Sequence, residues 1–131
     1  SVGHTVVDLG EDEFTQGRLH PMIDPALRNR RIVQEAHDGA TAVILLDFVL
    51  GYGAHDDPAG AALPAIAEAQ AVAHAAGRHL LFVASVCGTE ADPQRLSGQE
   101  AKLRSAGVLV LPDNASAVRL AGLITQGCVV C

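Results

Sequence analysis

Three short stretches hold most of the side chains capable of chemistry. GEDEFTQGRLHPMIDP (10–25) carries Glu11, Asp12, Glu13, Thr15, Arg18 and His20. LLDFVLGYGAHDDPAG (45–60) carries Asp47, Gly51, Gly53, His55, Asp56 and Asp57. SVCGTEA (85–91) sets Ser85, Cys87, Thr89 and Glu90 around Gly88. Three consecutive acids can hold a divalent ion or simply solvate a loop. Arg18 and His20 suit an anionic substrate, and His20, preceding Pro21, is expected in an extended or turn conformation. Gly51 and Gly53 permit backbone shapes that bring N–H groups toward an oxyanion. Asp47 is placed to orient His55 or to act as a general base, and an imidazole exchanges its proton near neutrality. Cys87 as a nucleophile would need a base and an activated thiol; the plainer expectation is a buried cysteine at a strand end. No G-x-x-x-x-G-K-[ST], G-x-G-x-x-G or G-x-S-x-G motif occurs.

The elements that must position these residues alternate. HTVVDL (4–9) reads as a strand, followed by a long loop over 10–23 and a helix over 25–37 with Ala26, Ile32, Val33 and Ala36 on its apolar face. TAVILLDFV (41–49) is a nearly continuous apolar run, as expected of a strand covered on both faces. An alanine-rich helix over 62–77 ends at Gly77. HLLFVAS (79–85) is a third strand, a helix over 93–106 stops at Gly107, VLVL (108–111) is a last strand, and a helix covers 114–126. Asp24-Pro25, Asp57-Pro58 and Asp92-Pro93 each offer a capping carboxylate before a proline, and Asp113-Asn114 repeats the device without proline. Strand, loop and helix in repetition imply an α/β fold. The expectation is a flavodoxin-like three-layer sandwich with an open parallel sheet of about four to five strands. Ligands in such sheets sit at the carboxyl ends of the strands, at a switch point. The loops over 10–23, 50–57 and 86–91 fall there.

The bulk composition bounds the rest. With 131 residues and 49% hydrophobic side chains, one domain can build its own core. Aromatics are 3%, so Leu, Val, Ile and Ala must fill it. The formal charge of −6 argues against nucleic acid as a partner. Arg28, Arg30 and Arg31 are the one basic cluster and are expected to form a solvated helix face. No apolar run approaches a membrane span, and no signal-peptide pattern opens the chain. Three cysteines are too few for a disulfide scaffold, so the expected home is cytoplasmic. Cys128 and Cys131 form a C-x-x-C without further zinc ligands near it, and no metal is expected. His37, His74 and His79 fall near element ends and read as structural. The start at Ser1 is expected of a domain cut from a longer chain.

HTVVDLGEDEFTQGRLHPMIDP (4–25) and AVILLDFVLGYGAHDDPAG (42–60) together resemble the C-terminal part of FdrA-type proteins. The resemblance runs on through GTEADPQ (88–94) and VLPDNASAVRLA (110–121), covering nearly the whole chain. FdrA-type proteins are similar to the succinyl-CoA synthetase superfamily. The resemblance implies one ligase-CoA-type domain over 1–131, with CoA and ATP used by the parent protein and none bound by this domain. It implies that Gly51, Tyr52 and Gly53 present backbone N–H groups to a small carboxylate or phosphate, with Arg18 and His20 assisting. The superfamily's phosphohistidine loop, ATP-grasp domain and CoA-binding domain find no match here, so turnover by this domain alone is not expected. Asp56 and Asp57 stand where an anion-binding helix start would prefer neutral groups. Sister domains or another subunit are the expected partners, and a homo-oligomer is compatible. FdrA-type proteins also resemble a subunit of a carbamoyl-transferring system acting on oxamate and carbamoyl phosphate. A catalytically silent interaction module is a third reading. A receiver-like regulator is disfavoured, because the third strand ends in Ser85 and the one lysine, Lys102, falls in a helix.

Overall fold

The computed structural model describes residues 3–126. The elements run α1 (Asp12–Thr15), α2 (Ala26–Ala36), β1 (Val43–Val49), α3 (Pro58–Ala75), β2 (Leu81–Cys87), α4 (Leu96–Ser105), β3 (Leu109–Leu111) and α5 (Asn114–Thr125). The three strands are parallel in the order β1-β2-β3. Val43 pairs with Leu81 through to Val49 with Cys87, and Val83–Ser85 pair with Leu109–Leu111. The α/β class and open parallel sheet match the sequence expectation, with three strands instead of four to five.

The missing strand is the segment over 4–9. Its β-branched residues favour a strand only where a neighbour takes up the backbone groups and one face is buried. Neither condition holds, since residues 4–8 are exposed, Val6 fully so, and no described strand pairs with them. The strand order is sequential, so no switch point lies inside this sheet. Right-handed crossovers then place α3 and α4 on the same face. There α3 packs between α2 and α4, while α5 spans all three strands.

The pleat divides the side chains accordingly. Leu46 and Phe48 of β1 and Phe82, Ala84 and Val86 of β2 join Ile32 and Ala36 of α2 and Leu103 of α4 in one core. Against them α3 turns Ala59, Ala62, Ile66, Ala69 and Ala73, all fully buried at alternating spacings of three and four. The small side chains let α3 approach its neighbouring helices closely, α2 most of all. Phe48 and Phe82, each 1% exposed, supply the bulk that alanine lacks. The opposite face carries Asp47, Ser85 and the buried Val83 beneath α5. Its margins stay bare, with Val49, Leu81 and Leu109 exposed.

The helix starts depart from expectation in instructive ways. Asp57 caps α3 through Gly60 N–H, with Pro58 in the first turn, so this helix begins four residues before the expected Ala62. Asp113 caps α5 through Ser116 N–H. Asp24 accepts from Ala26 N–H at 3.0 Å, while Pro25 holds the cap position of α2. Asp92 does not start α4. Its carboxylate accepts from Thr89 N–H at 2.7 Å within a turn, and the helix begins at Leu96 after Arg95. Glu90 serves α4 instead, accepting from both the N–H and the hydroxyl of Ser97.

Candidate functional site

At the carboxyl end of β1 the chain enters the glycine loop through Gly51, whose φ of +137° is open to glycine and strained for other residues. The loop is not free-standing. Gln94, from the turn after β2, accepts Gly51 N–H at 3.1 Å and donates its amide to Gly51 O at 2.8 Å and to His55 O at 3.0 Å. One side chain thus clamps both ends of residues 51–55. Gly88 lets the two loops close up, because a Cβ there would fall 2.7 Å from atoms of Leu50. Gln94 lies in the GTEADPQ stretch, yet only the parallel register places it beside a loop 43 residues earlier. Tyr52 projects from the tip, 90% exposed.

The first loop meets the second at Met22. His55 N–H donates to Met22 O at 2.6 Å, and Met22 N–H donates to His20 Nδ1 at 3.2 Å. His55 Nδ1 in turn accepts from Asp57 N–H at 2.9 Å. Both imidazoles therefore use Nδ1 as an acceptor from the backbone two residues on, which places the proton of the neutral ring on Nε2. Gly10 closes against His20, where a Cβ would come within 2.6 Å of Nε2. The structure thus joins the His20 and His55 loops through a single residue, an adjacency no motif signals.

Asp47 goes elsewhere. Its pairing opposite Ser85 puts the two side chains on one face, where the Ser85 hydroxyl donates to Asp47 Oδ1 at 2.5 Å. Asn114, opening α5, donates to both carboxylate oxygens at 2.8 and 2.9 Å. Its described partners are Ser85 and Asn114, and none is His55; the carboxylate ties α5 to the sheet.

Asp57 fills the start of α3. Besides Gly60 N–H, it accepts from Gln99 Nε2 and Lys102 Nζ, each at 2.8 Å. Gln99, 2% exposed, takes Ala59 N–H on its oxygen at 2.8 Å. Partial burial raises the Asp57 pKa, but the hydrogen bonds from Lys102, Gln99 and Gly60 outweigh it and hold the carboxyl below its ordinary value. Glu90, exposed, is likewise lowered, first by the Ser97 hydrogen bonds and then by Arg95. Asp113 is lowered by Ser116 N–H. Asp56 stays exposed.

Arg18 borders a cavity of about 290 Å³ whose lining includes no residue of the glycine loop. Leu9, Phe14, Leu27, Arg30 and Arg31 line it with Arg18. The solvated basic face expected of α2 is therefore divided. Arg28 turns inward, its guanidinium 4.6 Å from the Phe48 ring centre and donating to Asp47 O at 3.2 Å. Burial lowers its pKa. A shallower basin of about 400 Å³ at the opposite end of the sheet is lined by His74, Arg78 and His79. Cys87, expected buried, is exposed; β2 runs two residues further than expected and Cys87 is its last residue. Cys128 and Cys131 lie outside the described residues. Among the described residues no group of three metal-ligating side chains gathers, and no helix is long and apolar enough to cross a membrane.

An open parallel sheet with its polar loops gathered at the strand ends is the class of domain these observations define. The chain belongs to the CoA-ligase family, whose model matches residues 1–124. Among curated proteins it is similar to the uncharacterized protein YahF of Escherichia coli (strain K12), 46% identical over 121 residues. That match covers 92% of this chain and 24% of YahF, so the chain spans about a quarter of this relative's length.

Proposed function

We propose that the chain acts as the C-terminal ligase-type domain of an FdrA-like acyl-CoA synthetase and that its strand-end loops bind a small carboxylate or phosphate. The observation that carries this reading is the pair His20 and His55, linked through Met22, each with Nδ1 held by a backbone N–H and Nε2 left to donate. Two N–H donors beside a glycine loop suit a small anion better than a cation. The helix starts do not fit a nucleotide or CoA diphosphate. Carboxylates of Asp57, Glu90 and Asp113 already occupy the first turns of α3, α4 and α5, where such a group would sit. CoA and ATP are accordingly assigned to other parts of the parent protein, and this chain's part is to hold the small anion.

The test is an amide-resolved NMR titration of the chain with succinate, inorganic phosphate, carbamoyl phosphate and CoA. The reading expects shifts at Met22 and residues 52–57 with the small anions, and their loss in His20→Ala/His55→Ala. Identical shifts in that double variant, or none with any small anion, would refute it. A response to carbamoyl phosphate that succinate does not share would move the assignment to carbamoyl transfer. A catalytically silent interaction module is favoured by a separate observation, the exposed Tyr52 at the loop tip with the exposed Val49 at the end of β1 just before it. That reading expects concentration-dependent association and no anion response.

A further inference from the structure

We propose that the cavity between residues 9–18 and α2 is a second binding site, for a small organic anion with an unbranched apolar body. The site is distinct from the histidine-lined loops and does not depend on the reading given to them. Leu27, Arg30, Arg31 and Gln34 recur at helical spacing on one face of α2, and Leu9, Phe14 and Arg18 close over that face. The walls divide by chemistry. Leu9, Phe14 and Leu27 form the apolar side and arginines the rim. Phe14 is only half-buried, whereas Phe48 and Phe82 are 1% exposed, so its ring remains available to a ligand.

The charge is asymmetric too. In a chain of net charge −6, three guanidinium groups border this one cavity and no carboxylate lines it. Glu11, Asp12 and Glu13 are exposed and are not among the residues that line it. Arg31 is already held by Glu35 at 2.7 Å. Arg18 and Arg30 have no ion-pair partner among the described residues and are the two forks offered to a ligand. A guanidinium matches a carboxylate or a phosphate through paired N–H donors. A volume of about 290 Å³ suits a short chain, at the small end of ligand pockets.

The experiment titrates the 131-residue chain at fixed ionic strength with acetate, butyrate, hexanoate, hexyl phosphate and, as the uncharged comparator, hexanol. Amide shifts are read at Phe14, Leu27 and Arg30. Each methylene buried should tighten binding about fourfold, so hexanoate should exceed butyrate by roughly 16-fold at most. Hexanoate or hexyl phosphate should exceed hexanol, and whichever anion binds tighter assigns the head group as carboxylate or phosphate ester. Arg18→Gln/Arg30→Gln should erase the preference over hexanol. Gln34→Glu, at an exposed rim position, should weaken the anions and leave hexanol unchanged. The proposal is overturned if acetate binds as tightly as hexanoate, if hexanol equals the anions, if either variant leaves anion affinity intact, or if no probe shifts these amides. Shifts confined to residues 52–57 would support the histidine site while overturning this one.

Discussion

Replacing Asp57 with alanine removes one carboxylate from three donors at once. The cap to Gly60 N–H contributes about 1 kcal/mol. Gln99 is buried, so its amide loses an acceptor that water does not readily replace, a penalty of about 1–2 kcal/mol. The pair with Lys102 is half in solvent and adds only a few tenths of a kcal/mol. Asp57→Ala should therefore destabilise the domain by about 2–3 kcal/mol, lowering Tm by roughly 6–15 °C for a chain of this size. The pH dependence follows from the lowered pKa. A carboxylate whose pKa is lower in the folded state contributes its stability above the unfolded value, near 3.9. It loses that contribution as pH falls through the folded value. The gap between the parent chain and Asp57→Ala should be full at pH 7 and narrow progressively as pH falls below about 4. Thermal unfolding followed by circular dichroism across that range measures both quantities. A gap under 0.5 kcal/mol at neutral pH, or one that persists undiminished in acid, would refute the assignment of Asp57 as the closure of α3.

Other outcomes are equally concrete. Gly88→Ala should destabilise by about 1–3 kcal/mol through overpacking, because its Cβ would sit 2.7 Å from the buried Leu50; equilibrium denaturation reads it. Gly98→Ala, inside α4 with no atom within 4 Å of the new Cβ, should stabilise by about 1 kcal/mol by helix propensity in the same assay. Cys87 should react with a thiol reagent in the native state at the rate of an exposed cysteine. Protection until unfolding would show β2 ending earlier than described.

Periodicity and punctuation made much of this architecture legible. The continuous run ending in Val49, the alanine seam closed by Gly77 and the stop at Gly107 all have local causes, so α2 to α5 and the sheet's class follow from the chain alone. HTVVDL misled because strand propensity says nothing about whether an edge is available to pair. Asp92-Pro93 misled for a related reason. The same dipeptide that caps α3 at Asp57 here closes a turn, and the cap passes to Glu90 from across the loop. Among the site residues, Gly51, Tyr52, Gly53 and His55 share one loop by sequence. The clamp by Gln94 depends on parallel register, and the bridge from His55 to Met22 on how the segment before α2 meets the loop after β1; no local pattern encodes either. Arg18 was expected to assist the glycine loop, whereas its neighbours Arg30 and Arg31 come from the packing of α2. Asp47 was read as a partner for His55, whereas the pleat turned it toward Ser85 and Asn114.

Arg28 has a consequence for what can lie beside this sheet. Leu81 N–H donates to Ala42 O and Leu50 N–H to Cys87 O, so the even-numbered residues of β1 bond toward β2. In a parallel ladder the odd-numbered ones then aim their N–H and C=O groups at open space. Asp47 O is one of these, and Arg28 sits on it, anchored over the Phe48 ring. A foreign strand sliding along β1 would meet a fixed positive charge midway and would have to dislodge it to complete its hydrogen bonds. Charged groups at exposed edges discourage such pairing. The guanidinium acts as a gatekeeper that turns away casual strand-to-strand association and admits only a neighbour that supplies Arg28 with another acceptor.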